Sequence, residues 1–211
     1  MTASEPIPAD LLAQAADWRL LSLLFEPPCD AWREDVRALS EATADLMLRA
    51  AAQRALVQAE PALYHSTFGP GGPANPREIA YHPRTLPGGT IAEIEGYYAA
   101  FGYAPRTEET PDHVAVESGF IAFLRFKEAY AASRGETDQA TMTAQAAARF
   151  VGEHLAMMAQ PLADSLRNSG LEHLALAAEA LRARTGPPPV LPEAPPLTIL
   201  DADDEEEGCS T

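Results

Sequence analysis

The segment Pro111-Asp112-His113-Val114-Ala115-Val116-Glu117 gathers the residue types that can move protons or hold a charged partner. A histidine flanked by carboxylates can serve as a general acid or base. His113 and Glu117 stand four residues apart, so on a helix they share one face. The same residues also have a purely architectural reading. Thr110-Pro111 has the form of a helix start, with Thr as N-cap and Pro at the first position, where its missing N–H does no harm. Asp112 then falls in the first turn, where an anion gains roughly 0.3–1 kcal/mol from the helix dipole, and Glu117 restrains His113. A small helical enzyme using His113 with Asp112 or Glu117 is one functional alternative; no nucleophile beside them supports it.

Other chemistry is sparse. The chain has no Gly-x-x-x-x-Gly-Lys-Ser/Thr, no dinucleotide-binding glycine pattern after a strand and no Gly-x-Ser-x-Gly. Its five histidines, at 65, 82, 113, 154 and 173, form neither Glu-x-x-His nor His-Glu-x-x-His, and no metal site is expected. Lys127 is the sole lysine. With 31 acidic against 15 basic residues the net charge is −16, which argues against nucleic acid and against stable association with an anionic membrane, and favours a cationic peptide or protein. Cys29 and Cys209 lie far apart and suggest a reducing compartment rather than a disulfide framework. Met1–Asp10 has no basic residue and does not read as a secretory signal, and no apolar run reaches membrane-spanning length, so a cytoplasmic protein is expected.

The elements that would position these residues read as helices throughout. Leu and Ala dominate, while Val and Ile are scarce. Helical spacing predicts segments at about 8–25, 31–39, 41–59, 61–68, 90–101, 110–133, 138–166 and 171–184. The stretch 110–133 is apolar on more than one face and should be the most buried helix. Between 69 and 89 the Gly/Pro-rich sequence predicts a long loop, of the kind that often carries function. Residues 1–185 read as one all-α domain, a single-domain helical bundle. Residues 186–211, rich in proline and then acidic, read as a disordered tail; the domain without the tail's seven acids still carries about −9.

Several ordered pieces within about 15–185 resemble the TorD/DmsD/NarJ family of redox-enzyme maturation chaperones. They are Trp18 to Phe25 followed by Pro27-Pro28, Tyr64-His65-Ser66-Thr67-Phe68-Gly69-Pro70-Gly71, Pro76 to Tyr81, and Pro111-Asp112-His113 with Glu117, Phe120, Phe123 and Leu124 after it. Ile79 stands where that family often has serine, and the acidic tail is not a family feature. The resemblance implies a TorD-like bundle that is not catalytic. It implies a partner, the apo form of a molybdoenzyme catalytic subunit, bound through its twin-arginine signal or N-terminal segment until molybdopterin guanine dinucleotide is inserted. No stably bound cofactor is implied, only transient contact with that cofactor or a guanine nucleotide, and the chain is expected to be a monomer or weak homodimer.

The expected client-binding residues are Asp112, His113, Glu117, Pro111, Tyr64, Phe68 and Tyr81. Asp112 would face the client's arginines, and Tyr64, Phe68 and Tyr81 would flank its apolar stretch. Tyr64 and Phe68 read equally well as core residues. Removal of Gly186–Thr211 should leave the melting temperature within error and the affinity for a client peptide within a few-fold. Calorimetry on full-length and truncated chains checks this, and a large loss of either would mean that the tail docks.

Overall fold

The computed structural model describes residues 6–82 and 87–188. Residues 189–211, most of the expected tail, lie outside them, as do 83–86 in the expected loop. The described chain is all-α: α1 (Ala9–Leu24), α2 (Asp30–Ala42), α3 (Leu46–Gln58), α4 (Pro61–Phe68), α5 (Pro87–Phe101), α6 (Val114–Ser133), α7 (Thr137–Phe150), α8 (Ala156–Leu166) and α9 (Glu172–Thr185). A single π-turn, Val151–Leu155, joins α7 to α8 so that the two run on as one interrupted helix. None of these helices is long and apolar enough to cross a membrane.

Two helices with apolar residues on several faces make the centre. In α1, Leu20 to Leu24 are all buried, and α1 lies along α6, whose first turns are buried without a break from Val114 to Ala122. The remaining helices wrap this pair: α7 packs on α6, α3 on α9, and α9 on α8. Pro27-Pro28 ends α1, and the indole N–H of Trp32 in α2 then donates to the Leu23 carbonyl at 2.6 Å, adding to the Glu26 N–H that the same carbonyl accepts at 2.9 Å. Arg33 does the same for α3, donating to the carbonyls of Leu56 and Ala59 at 2.9 Å each.

Phe120 is the hub of an aromatic cluster. Its ring lies within 4.8–6.4 Å of the rings of Tyr97, Tyr98, Phe101, Tyr103 and Phe150. This is how α5 is held against α6. Gly102, at φ +69°, ends α5 and lets the Tyr103 N–H reach back to the Tyr98 carbonyl at 2.8 Å.

Three boundaries differ from expectation. The segment expected as 41–59 is broken at residues 43–45, because the Asp45 carboxylate accepts from the N–H groups of Met47 and Leu48 and so caps α3. The 69–89 loop contains a 3-10 turn, Glu78–Tyr81, and α5 begins at Pro87 rather than Thr90. The helix expected from Thr110 begins at Val114. Phe120→Ala should cost about 3–5 kcal/mol in urea or thermal unfolding, since it removes the ring that five others share; a loss below 1 kcal/mol would mean that the cluster repacks around the gap.

Candidate functional site

α6 starts in the interior, and its start is built from two distant segments. Pro76 to Glu78 and Asp112 to Val114 lie antiparallel: the Val114 N–H donates to the Pro76 carbonyl, and the Glu78 N–H donates to the Asp112 carbonyl, both at 2.8 Å. This short bridge holds His113 in extended conformation, so the helix cannot begin at Thr110. His113 is therefore the N-cap. Its Nδ1 accepts from the Ala115 N–H at 3.1 Å, a role the sequence had suggested for Thr110.

With Nδ1 an acceptor, the proton of neutral His113 sits on Nε2, which meets the Tyr64 hydroxyl at 3.2 Å; that hydroxyl in turn donates to Glu109 at 2.9 Å. Phe68 closes the histidine's surroundings, with ring centroids 6.4 Å from His113 and 5.2 Å from Tyr64. Burial lowers the His113 pKa to about 4, against the opposing pull of Glu109 and Asp112. Burial and the Glu109 carboxylate push the Tyr64 phenol far up, so it stays neutral.

Asp112 does not face outward. Its carboxylate is fully buried and pairs with the chain's own Arg77, whose Nε lies 3.0 and 3.2 Å from the two oxygens. The expectation that Asp112 meets a client's arginines is corrected on that geometry: a cation from the neighbouring segment already occupies it. Glu117, one turn into α6, is also fully buried, with the Glu78 carboxylate as its side-chain neighbour. Burial first, and the nearby Glu78 second, push Glu117 well above the usual carboxylate range, in the direction of the neutral acid. Glu117 does not restrain His113.

Glu78, His154 and His82 join this cluster and were not foreseen. The Glu78 carboxylate accepts from His82 Nε2 at 2.5 Å and from His154 Nδ1 at 3.1 Å. His154 comes from the π-turn, far along the chain, and no local spacing announces it. Pro111 is half-buried, and its carbonyl accepts from the Tyr98 hydroxyl at 2.8 Å. Tyr81 is half-buried and donates to the Asn75 carbonyl within its own loop. Of the seven expected residues, the structure gathers Tyr64, Phe68 and His113 in one contact set and Pro111, Asp112 and Glu117 around the start of α6; Tyr81 braces the loop.

An open groove lies next door. A groove of about 680 Å³ runs between α1, the first turns of α6 and the 102–107 segment. Val116, Phe123, Phe126 and Tyr103 supply its apolar lining, and Arg19, Ser22 and Glu26 one polar wall. That wall is organised: Arg19 pairs with Glu26 at 2.6 Å, and the Ser22 hydroxyl lies 3.0 Å from Glu26 and 2.8 Å from the Ala115 carbonyl. Gly119 permits it, because a Cβ there would stand 2.7 Å from the Tyr103 hydroxyl and 3.2 Å from Ser22 Oγ. Phe126 is half exposed at the rim.

The described residues thus form an all-α bundle with a buried polar cluster under one helix start and an open groove beside it. The chain matches the family described as nitrate reductase delta subunit over residues 28–164, and it belongs to that family, which is of the NarJ/TorD type of redox-enzyme maturation chaperones. A comparison with curated proteins returned no significant match.

The buried groups set two expectations. Asp112→Asn leaves Arg77 without its anion, though Arg77 can turn partly to water, and should cost about 1–3 kcal/mol in denaturant unfolding, more than the fraction of a kcal/mol that a helix-dipole contact alone would give. His113 is held neutral at a folded pKa of about 4, below its unfolded value near 6.5, so the unfolded chain takes up a proton first as pH falls. Its contribution is complete above pH 6.5 and is lost between 6.5 and 4. Measured against His113→Gln, which has nothing to titrate there, the wild type should lose on the order of 3 kcal/mol between pH 7 and 4; a constant difference would place the histidine's proton elsewhere.

Proposed function

We propose that this chain is a non-catalytic chaperone that holds the N-terminal segment of an apo-molybdoenzyme catalytic subunit, with or without a twin-arginine motif, and keeps it from further assembly or export until molybdopterin is inserted. The observation that carries the reading is the open groove on the first turns of α6, in a member of this chaperone family. Both nitrogens of His113 are engaged inside the protein, and Asp112 and Glu117 are sealed from solvent, which speaks against the acid–base enzyme alternative. In this reading Pro111, Asp112, His113 and Glu117 shape the groove from beneath rather than touch the client.

The apolar part of a signal peptide supplies the affinity, at about 1.5–3 kcal/mol for each large side chain buried. Its basic head is drawn by the net charge of the chaperone, which speeds encounter and selects the partner. Ordering a flexible peptide costs roughly 2–5 kcal/mol, so the affinity settles near micromolar and permits release. The pterin cofactor belongs to the client, and contact of the chaperone with it or with a guanine nucleotide is transient. The chaperone works in the cytoplasm as a monomer or weak homodimer.

Calorimetric titration with the N-terminal peptide of the molybdoenzyme encoded beside this chain should give a dissociation constant of order micromolar. Phe126→Ser should weaken binding about tenfold with the melting temperature unchanged, because the ring is at the groove's rim rather than in the core. Absence of binding to any such client, or full affinity in the variant, would move the client site off this groove.

A further inference from the structure

The structure assigns a second site, unrelated to client binding, where α5 meets the π-turn: Glu93, Glu153 and His154 form a site for one divalent transition-metal cation of the zinc type. One carboxylate oxygen from each glutamate and one imidazole nitrogen of His154 lie within 4.8 Å of one another. Two exposed acids near a histidine would not make a site. What distinguishes this one is the state of the histidine.

His154 is buried, and its Nδ1 is held by the Glu78 carboxylate at 3.1 and 3.2 Å. A carboxylate accepts, so Nδ1 carries a ring proton, and in the neutral tautomer that this bond selects Nε2 is the lone-pair nitrogen. That Nε2 is buried and has no hydrogen-bond partner. An unmet polar atom in the interior costs free energy unless something else uses it. A buried carboxylate that fixes the tautomer and points the other nitrogen at an electrophile is the arrangement by which proteins prepare a histidine for a metal.

The backbone is suited to the same end. In an α-helix, adjacent residues such as Glu153 and His154 diverge by about 100°. The wider π-turn over Val151–Leu155 reduces that divergence and lets both side chains approach the same point. Glu93 comes from α5 and is exposed, free to swing the last ångströms; bonds of about 2.0–2.2 Å bring tetrahedral ligand atoms to roughly 3.3 Å of one another. Glu153 is now shared by Arg149, at 2.8 and 2.9 Å, and the Tyr97 hydroxyl, at 3.1 Å. Arg149 is largely exposed and can give way to a doubly charged ion, while Tyr97 can continue to donate to the carboxylate once it is bound.

One imidazole and two carboxylates suit zinc and its neighbours better than calcium or magnesium, which take oxygen ligands alone. Three protein ligands leave a fourth position for water. The bound ion would clamp α5 to the π-turn and to Glu78 behind it.

The test is titration of chelator-treated full-length protein with zinc alone, followed by calorimetry and melting temperature, with cobalt absorption as a report on coordination. One equivalent should bind with micromolar affinity. At a hundredfold excess over the dissociation constant the melting temperature should rise by about 5–10 °C. Glu93→Gln and Glu153→Gln, both at the surface, should each weaken zinc at least tenfold and abolish the rise. His154→Gln should do the same, and if it fails to fold the two glutamate variants carry the test. Binding no tighter than millimolar would overturn the assignment. So would unchanged binding in the Glu93→Gln/Glu153→Gln double variant, which would place the cation on the acidic run at 201–207 instead.

Discussion

A helix that starts inside a protein has N–H groups that water cannot reach, and the start of α6 is such a place. Its donors must find partners within the chain. The Pro76 carbonyl takes the Val114 N–H, and His113 Nδ1 takes that of Ala115. The segment that supplies the carbonyl also supplies Arg77 for Asp112 and Glu78 for the two histidines. One requirement of backbone hydrogen bonding thus ties the Gly/Pro loop to the central helix and brings Arg77, Glu78, Asp112, His82 and His154 together with His113 beneath it.

The cost of that arrangement is visible in the charges. Asp112 has Arg77 beside it, whereas Glu117 has no cation as partner and burial pushes its carboxyl well above the usual range. Histidine at 113 remains neutral for the same reason of burial, and so can act as an acceptor cap rather than as a cation. Apolar packing around Phe120 and along α1 provides the stabilisation that offsets these desolvated groups.

The polar residues that look most chemical are enclosed, and an open groove formed by α1, α6 and the 102–107 segment lies beside them. Gly119 and Ser22 matter here through shape: one admits the Tyr103 hydroxyl, the other ties α1 to the Ala115 carbonyl.

The helical class, the prominence of α6 and the proline stops were legible in the sequence, because each depends on residues within a few positions of one another. The stop at Pro27-Pro28, the turn at Gly102 and the apolar run from Val114 are of this kind. The family was legible too, since its motifs are local and ordered. The helix start at Val114 was not: Thr110-Pro111 is a sound local signal, but a bridge to Pro76–Glu78 overrides it. Nor could Asp112 be known to have Arg77 as its partner, or Glu78 to join His82 to His154. Those contacts join segments that only the packed bundle brings together, and whether a carboxylate is a surface charge, an ion-pair partner or a neutral acid is decided by the dielectric and neighbours it meets there.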